Sequence, residues 1–195
     1  MWDQRYDTED YVYGTEPNDF LREAAHSLPK GKVLCLAEGE GRNAVYLATQ
    51  GYEVTAVDSS AVGLRKAQEL AESKGVSIHC IVADLQEFEL GQEQWDGIVS
   101  IFCHLPPPLR QKVYAQIPAS LRSGGVLLLE GYTPEQLQYK TGGPPVAALM
   151  LSKEILASEL SELEVLKSEE VVREIQEGQF HKGQSAVVQY LGKKS

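Results

Sequence analysis

Short apolar runs alternate with amphipathic stretches along most of this chain. Val33–Ala37, Glu53–Val57, Ile78–Val82, Asp96–Ile101 and Val126–Glu130 are rich in Val, Ile, Leu and Ala and have the length of strands. Residues 18–28, 42–50, 61–74 and 106–121 place apolar side chains at helical spacing, and each lies between two such runs or just before the first. Pro29-Lys30-Gly31 ends the first helix, and Gly51 and Gly75 stand where C-caps are expected for the next two. Pro118 lacks an amide hydrogen and is expected to break or kink the fourth near its end. Ser123-Gly124-Gly125 reads as the turn into the fifth strand.

Strands separated by helices imply parallel βαβ units, hence an α/β fold built on an open, doubly wound sheet. The pattern changes after Gly131. Tyr139 to Pro145 is a Gly/Pro-rich loop, Lys153–Leu160 a short helix, and Glu164–Glu174 and Ser185–Leu191 two strands joined by a polar turn at Gly178–Gly183. The chain therefore ends in an antiparallel hairpin. With no internal repeat, low-complexity segment or boundary, residues 1–195 read as one domain, with 1–17 as an N-terminal arm or lid.

Composition narrows the function classes. The 195 residues carry 28 acidic and 18 basic side chains, a net charge of -10. That charge repels a phosphate backbone, and no basic patch offsets it, so nucleic acid is not the expected partner. No run is apolar and long enough to span a membrane, and the polar start lacks a signal-peptide core, so the expected location is cytoplasmic. Cys35, Cys80 and Cys103 have no metal-ligand spacing and read as reduced packing residues. Cys35 and Cys103 fall near the expected cofactor site. No metal is expected.

The chemistry concentrates where the first strand runs into Glu38-Gly39-Glu40-Gly41-Arg42-Asn43-Ala44. Glycines let a backbone turn sharply and let a ligand approach it, and ligands of open α/β sheets sit beyond the strand carboxyl ends. Gly39-x-Gly41-x-x-Ala44 formally fits a dinucleotide fingerprint. Glu38 and Glu40, however, stand where a pyrophosphate needs backbone donors and no anions. S-adenosylmethionine carries a sulfonium and an ammonium instead, which an acidic loop suits. Asp58, at the end of the second strand, can accept ribose hydroxyls in either case. Asp84, after the third, can take an adenine amine, with the Leu85 amide facing a ring nitrogen. Each acid taken singly is also a common strand-end cap.

These features together resemble class I S-adenosylmethionine-dependent methyltransferases: the glycine loop, Asp58, Asp84, Trp95-Asp96-Gly97-Ile98-Val99-Ser100 and Leu121-Arg122-Ser123-Gly124-Gly125-Val126-Leu127-Leu128. The resemblance covers about residues 30 to 131. It implies a Rossmann-like, mostly parallel seven-stranded sheet whose C-terminal hairpin is antiparallel. Gly39-Glu40-Gly41-Arg42-Asn43-Ala44-Val45-Tyr46-Leu47-Ala48, with Trp2-Asp3-Gln4-Arg5-Tyr6 and Tyr13-Gly14-Thr15-Glu16-Pro17, resembles the tellurite-resistance and thiopurine-type small-molecule branch. The class usually has Asp at the position of Cys35 and Gly at that of Ala37. Here Glu38 is expected to take over the contact to the methionine ammonium.

The expected cofactor set is Glu38, Gly39, Gly41 and Asn43 on the loop, Asp58 and Ser59 after the second strand, and Asp84 and Leu85 after the third. Ser100 on the fourth strand and Tyr13 from the arm complete it. Methyl transfer needs alignment and water exclusion more than acid–base help, although a hydroxyl or ammonium acceptor needs a base. His104, after the fourth strand, stands where donor and acceptor should meet, or is a helix-entry histidine. His181 sits in the terminal hairpin at the substrate side by the resemblance, or is an exposed turn residue. His26 and His79 read as structural. Arg5, in an aromatic arm with Tyr6, Tyr11 and Tyr13, is available to an anionic acceptor if the arm closes as a lid. Tyr132 and Tyr139 are candidates for the acceptor mouth. The expected activity is methylation of a small molecule, a thiol or chalcogen oxyanion among the candidates. The alternatives are a nicotinamide-linked oxidoreductase and a non-catalytic S-adenosylmethionine-binding protein.

Overall fold

A computed structural model describes residues 1–195. The amphipathic pattern resolves into a seven-stranded sheet of order β3-β2-β1-β4-β5-β7-β6. Its first half is β1 (Lys32–Leu36), α3 (Arg42–Thr49), β2 (Glu53–Asp58), α4 (Ala61–Ser73) and β3 (His79–Val82), preceded by α1 (Trp2–Tyr6) and α2 (Asp19–Ala24). The chain then returns to the sheet centre with β4 (Trp95–Ile101), α5 (Pro107–Ser120) and β5 (Leu121–Tyr132). It ends with α6 (Lys153–Glu159) and the hairpin β6 (Glu164–Glu177) and β7 (His181–Lys193). β7 runs antiparallel between β5 and β6, while β1 to β5 are parallel. The expected α/β sheet with its antiparallel terminal hairpin is present.

Alternation along the central strands builds two cores. Val33 and Cys35 of β1 pack with Leu21, Ala44, Leu47 and Ala67 of α2, α3 and α4. Leu34 and Leu36 point the other way, onto Val113, Tyr114 and Ile117 of α5 and Leu156 of α6. A strand covered on both faces must be apolar at every position, which is why β1 reads as a continuous run.

Several boundaries differ from expectation. α5 continues to Ser120 with Pro118 inside it. A proline so near a helix end costs only one late amide bond, and the Leu121 amide still reaches the Ile117 carbonyl. Pro107 and Pro108 open α5, where a missing amide hydrogen costs no intrahelical bond. β5 and both hairpin strands run longer than their apolar cores, because β6 and β7 pair from Glu164 opposite Lys193 to Glu177 opposite His181. His181 therefore opens a strand rather than sitting in a turn.

The sheet reverses its winding between β1 and β4, so the loops after those strands part. Ala37 after β1 and Phe102 after β4 both have positive φ, 49° and 51°. Such backbone is costly outside glycine and clusters where a fold shapes a ligand edge.

Candidate functional site

A cavity of about 600 Å³ opens at the strand carboxyl ends. That volume lies within the range of small-molecule and cofactor sites. Its floor is Ala37 and Glu38 after β1, Asp58 and Ser59 after β2, Ala83 to Leu85 after β3, and Phe102 to Leu105 after β4. Arg5, Tyr6 and Tyr13 of the arm, Gly142 to Pro145, and Phe180 and His181 of the hairpin cover it.

The glycine loop is built to pack, and its carboxylates are already engaged. Gly41 has φ 87° as the residue before α3, and a Cβ there would stand 2.4 Å from Ala67 Cβ of α4. Gly39 has φ 61°, and a Cβ there would meet the Tyr6 hydroxyl at 2.6 Å. Neither glycine lines the cavity. The lack of a Cβ at each lets α4 and the arm close onto the loop. Glu38 Oε1 accepts the Ala44 amide at 2.7 Å and so caps the N-terminus of α3. Burial pushes the Glu38 carboxyl up to about 7, against the Ala44 hydrogen bond and the Arg42 charge, which pull it down. Asp58 accepts the Gly39 and Ser60 amides, each at 2.8 Å, through different oxygens. Burial nonetheless raises its pKa. Asp84 is exposed and caps its own turn through the Gln86 amide at 2.8 Å. All three acids border the cavity.

Glu40 does not serve a ligand as an open acidic loop residue would. It forms a buried ion pair with Lys66 of α4, and its other oxygen accepts the Val12 amide at 2.8 Å. The Lys66 ammonium also donates to the Tyr6, Thr8 and Asp10 carbonyls. The arm is thereby drawn across the loop. Its outer end meets the hairpin, where the Gln179 amide donates to the Val12 carbonyl at 2.9 Å. Arg5 lies over the rings of Trp2 and Phe180, at 4.9 and 5.3 Å, and donates to the Tyr13 hydroxyl at 3.1 Å.

At the β4 and β5 end the cavity wall is aromatic. The Phe102 and Tyr132 rings stack at 4.5 Å, and His181 meets both edge-on at 4.9 and 5.4 Å. Tyr13 packs on His181 at 4.6 Å. The Tyr132 hydroxyl is buried without a hydrogen-bond partner.

The two candidate histidines part company. His104 Nδ1 lies 3.0 Å from the Leu149 carbonyl, which can only accept, so Nδ1 carries the proton. Nε2 accepts the Tyr132 amide at 3.2 Å. Burial lowers its pKa to about 4, the Leu149 hydrogen bond notwithstanding. With both nitrogens occupied by backbone, His104 pins the 140s loop to β5 and offers an acceptor no free nitrogen in this arrangement. His181 has its Nδ1 3.5 Å from Glu177 Oε2, while Nε2 has no partner in the protein.

Other expected site residues divide in the same way. Asn43 borders the cavity, but its side-chain oxygen accepts the Asn18 amide at 2.9 Å and so joins α3 to the start of α2. Ser100 is buried within β4 and does not reach the cavity, because it lies one residue short of the strand end. Ser59, Leu85 and Tyr13 do border it. Tyr132 does as well, whereas Tyr139 does not. Cys35 is packed in the sheet core, and burial raises its pKa well above the ordinary thiol range. Cys103 borders the cavity, but burial pushes it up to about 12, an inert thiol at neutral pH. Sequence reasoning missed Lys66, Arg42 and Glu177. Lys66 pairs with Glu40 26 residues away and Arg42 with Glu177 135 residues away, and no local spacing signals those two pairs. Phe180 next to His181 gave the only local hint, an apolar side chain in a polar turn.

The site suits a cation better than a pyrophosphate. The N-terminus of α3, where a dinucleotide phosphate would bind, already holds the Glu38 carboxylate. The Gly39 amide is likewise taken by Asp58.

Residues 33–125 match a family model described as "Methyltransferase domain". The chain is 30% identical over 102 residues to the uncharacterized methyltransferase YbaJ of Bacillus subtilis, covering 50% of this chain and 38% of that protein. It is 35% identical over 78 residues to the probable S-adenosyl-L-methionine-dependent methyltransferase TehB of Haemophilus influenzae, covering 40% and 27%. Hemagglutinin 1 of Eikenella corrodens is 28% identical over 117 residues, covering 59% and 39%. The chain thus spans less than half the length of the curated relatives it matches. In fold it is similar to TehB from Haemophilus influenzae, with a TM-score of 0.74 at 21% identity over 100% of this chain and 66% of that one. It is similar also to a structure from work on conversion of a disulfide bond into a thioacetal group in echinomycin biosynthesis, with a TM-score of 0.78 at 17% identity over 100% and 91%. Residues 33–125 thus match a methyltransferase domain, and the chain resembles S-adenosylmethionine-dependent methyltransferases, TehB among them.

Proposed function

We propose that this chain transfers the methyl group of S-adenosylmethionine to a small-molecule acceptor, with thiols and chalcogen oxyanions as the leading acceptor classes. The observation that carries the reading is the Glu38 carboxylate seated on the N-terminus of α3. It fills the anion site that a nicotinamide dinucleotide would need and leaves a second carboxylate oxygen for a cation. A nicotinamide-linked oxidoreductase is the weaker reading for that reason.

When bound, S-adenosylmethionine supplies an already activated methyl group on a sulfonium. The protein's part is then to hold, orient and keep dry. Glu38 would hold the methionine ammonium, replacing the acid absent at Cys35. Asp58, with one hydrogen bond on each oxygen, retains a lone pair on each for the ribose hydroxyls. Asp84 and the Leu85 amide would hold the adenine. Phe102, Tyr132 and Tyr13 offer polarisable faces at the acceptor end, and the buried Tyr132 hydroxyl is a free donor there. His181 and Arg5 are the groups within reach of an acidic acceptor. The arm, latched by Lys66 and Glu40, excludes water.

The test is turnover. The protein is incubated with S-adenosylmethionine and a panel of thiols, selenite and tellurite, and S-adenosylhomocysteine formation is followed. Production dependent on one acceptor supports the reading. Tight cofactor binding without turnover on any acceptor would leave a binding protein instead.

A further inference from the structure

The hairpin carries a buried carboxylate that methyl transfer as described above does not use. Glu177 ends β6 and His181 opens β7, and their side chains are 5% and 10% exposed. Glu177 Oε2 lies 3.5 Å from His181 Nδ1 and accepts from Arg42 Nη2 at 2.7 Å. Its Oε1 accepts from Asn18 Nδ2 at 2.8 Å. Asn18 cannot swing away, since its Oδ1 caps α2 through the Leu21 amide at 2.9 Å. Burial alone would raise the Glu177 carboxyl, but His181 and the Arg42 guanidinium outweigh it and hold it at about 2. An ionised carboxylate can only accept.

We infer that Glu177 is a positioning residue that fixes the His181 proton on Nδ1 and turns a bare Nε2 toward the acceptor, whose proton Nε2 takes. This rests on the methyl-transfer reading and narrows it. The acceptor is a group that carries a proton at neutral pH and sheds it during attack, a thiol rather than an oxyanion. The S–H bond breaks with its electron pair left on the acceptor sulfur, and the proton moves to Nε2. The acceptor sulfur bonds the methyl carbon as that carbon leaves the sulfonium, whose sulfur keeps the bonding pair. The imidazolium formed lies against Glu177 and returns its proton to water when product leaves. The arrangement shares the logic of an acid-oriented histidine base.

The charged and titratable groups facing His181 come from every neighbouring element. Glu177 favours the imidazolium, while burial, Arg42 of α3 and Arg5 of α1 oppose it. Tyr13, Tyr132 and the neutral His104 complete the surroundings. The net effect is a His181 pKa below the ordinary value.

Nitrogen NMR of the full chain labelled at histidine, without cofactor, reads the tautomer directly. The expected spectrum shows His181 protonated on Nδ1 and bare on Nε2. In Glu177→Gln that preference is lost, the His181 pKa falls further, and kcat for a thiol drops about 100-fold, the usual scale of base catalysis. The cofactor KM stays within about twofold, and Glu177→Asp recovers part of kcat. An Nε2-protonated wild-type imidazole overturns the inference, and so does a tautomer indifferent to Glu177→Gln. Oxyanion turnover unaffected by His181→Asn overturns the acceptor class. Should Glu177→Gln fail to fold, the wild-type spectrum decides alone. Failure to bind S-adenosylhomocysteine would remove the methyl-transfer reading while leaving the tautomer result standing.

Discussion

Lys66 and Glu40 form an ion pair sealed inside the protein, and both halves of it hold the N-terminal arm. Their side chains are 5% and 4% exposed. Lys66 gathers the carbonyls of Tyr6, Thr8 and Asp10, and Glu40 takes the Val12 amide. Breaking such a pair by removing one partner leaves an uncompensated buried charge. Lys66→Met is therefore expected to cost about 3–5 kcal/mol. Urea unfolding measures that loss, and amide exchange at Val12 reports release of the arm. A loss under about 1 kcal/mol, typical of a surface pair, with Val12 still protected, would mean the latch is elsewhere.

In its proposed role at the methionine ammonium, Glu38 should link cofactor binding to pH. Its folded carboxyl is raised to about 7 by burial, so its contribution to stability is complete below the ordinary value of 4.5 and is lost as pH rises through 7. A ligand ammonium reverses that preference and favours the carboxylate. S-adenosylhomocysteine should then bind with proton release at pH 6, fading by pH 8. Calorimetry in buffers of different ionisation heat counts the protons. Glu38→Gln should abolish the release, and a release that survives the substitution would place the ammonium elsewhere.

The loop glycines make a paired test. Gly41 and Gly51 have nearly the same positive φ, 87° and 89°, but a Cβ at Gly41 collides with Ala67 and one at Gly51 meets nothing. Gly51→Ala should cost only the backbone penalty of about 1–2 kcal/mol. Gly41→Ala adds overpacking and should cost about 1–3 kcal/mol more. Equal melting temperatures for the two variants would contradict the close seating of α4 on the loop.

His104 should matter for stability and not for the pH dependence of turnover near neutrality. Its pKa falls from 6.5 to about 4 in the folded protein. Its contribution is present above 6.5 and lost as pH drops through 4. His104→Asn should lower stability at pH 7 by about 1–3 kcal/mol, through the unpaired backbone groups at Leu149 and Tyr132, and flatten the acid limb of the stability curve. A changed pH–rate profile between pH 6 and 8 would restore a catalytic role.

Periodicity exposed the sheet because each buried strand and each amphipathic helix writes its burial into its own residues. The positions of Glu38, Asp58 and Asp84 were legible for the same reason, since strand ends fall where apolar runs stop. The work of the glycines was not. Gly41 is required by Ala67, 26 residues on, and Gly39 by Tyr6, far back in the arm. Glu40 looked like a ligand for cations because its sequence neighbours are a glycine loop, yet its partner lies on α4. His104 looked free because nothing in the sequence shows that the Leu149 carbonyl and the Tyr132 amide close on it. Side chains whose partners are distant in sequence escape any local pattern.

The most direct test of the account is calorimetric titration of the full chain with S-adenosylhomocysteine, with NADH as the competing ligand. The account predicts binding of S-adenosylhomocysteine that Asp58→Ala weakens about tenfold or more, the scale of a lost hydrogen bond to a charged group, and no binding of NADH. Tight NADH binding, or no response to S-adenosylhomocysteine, would contradict it and return the glycine loop to a dinucleotide.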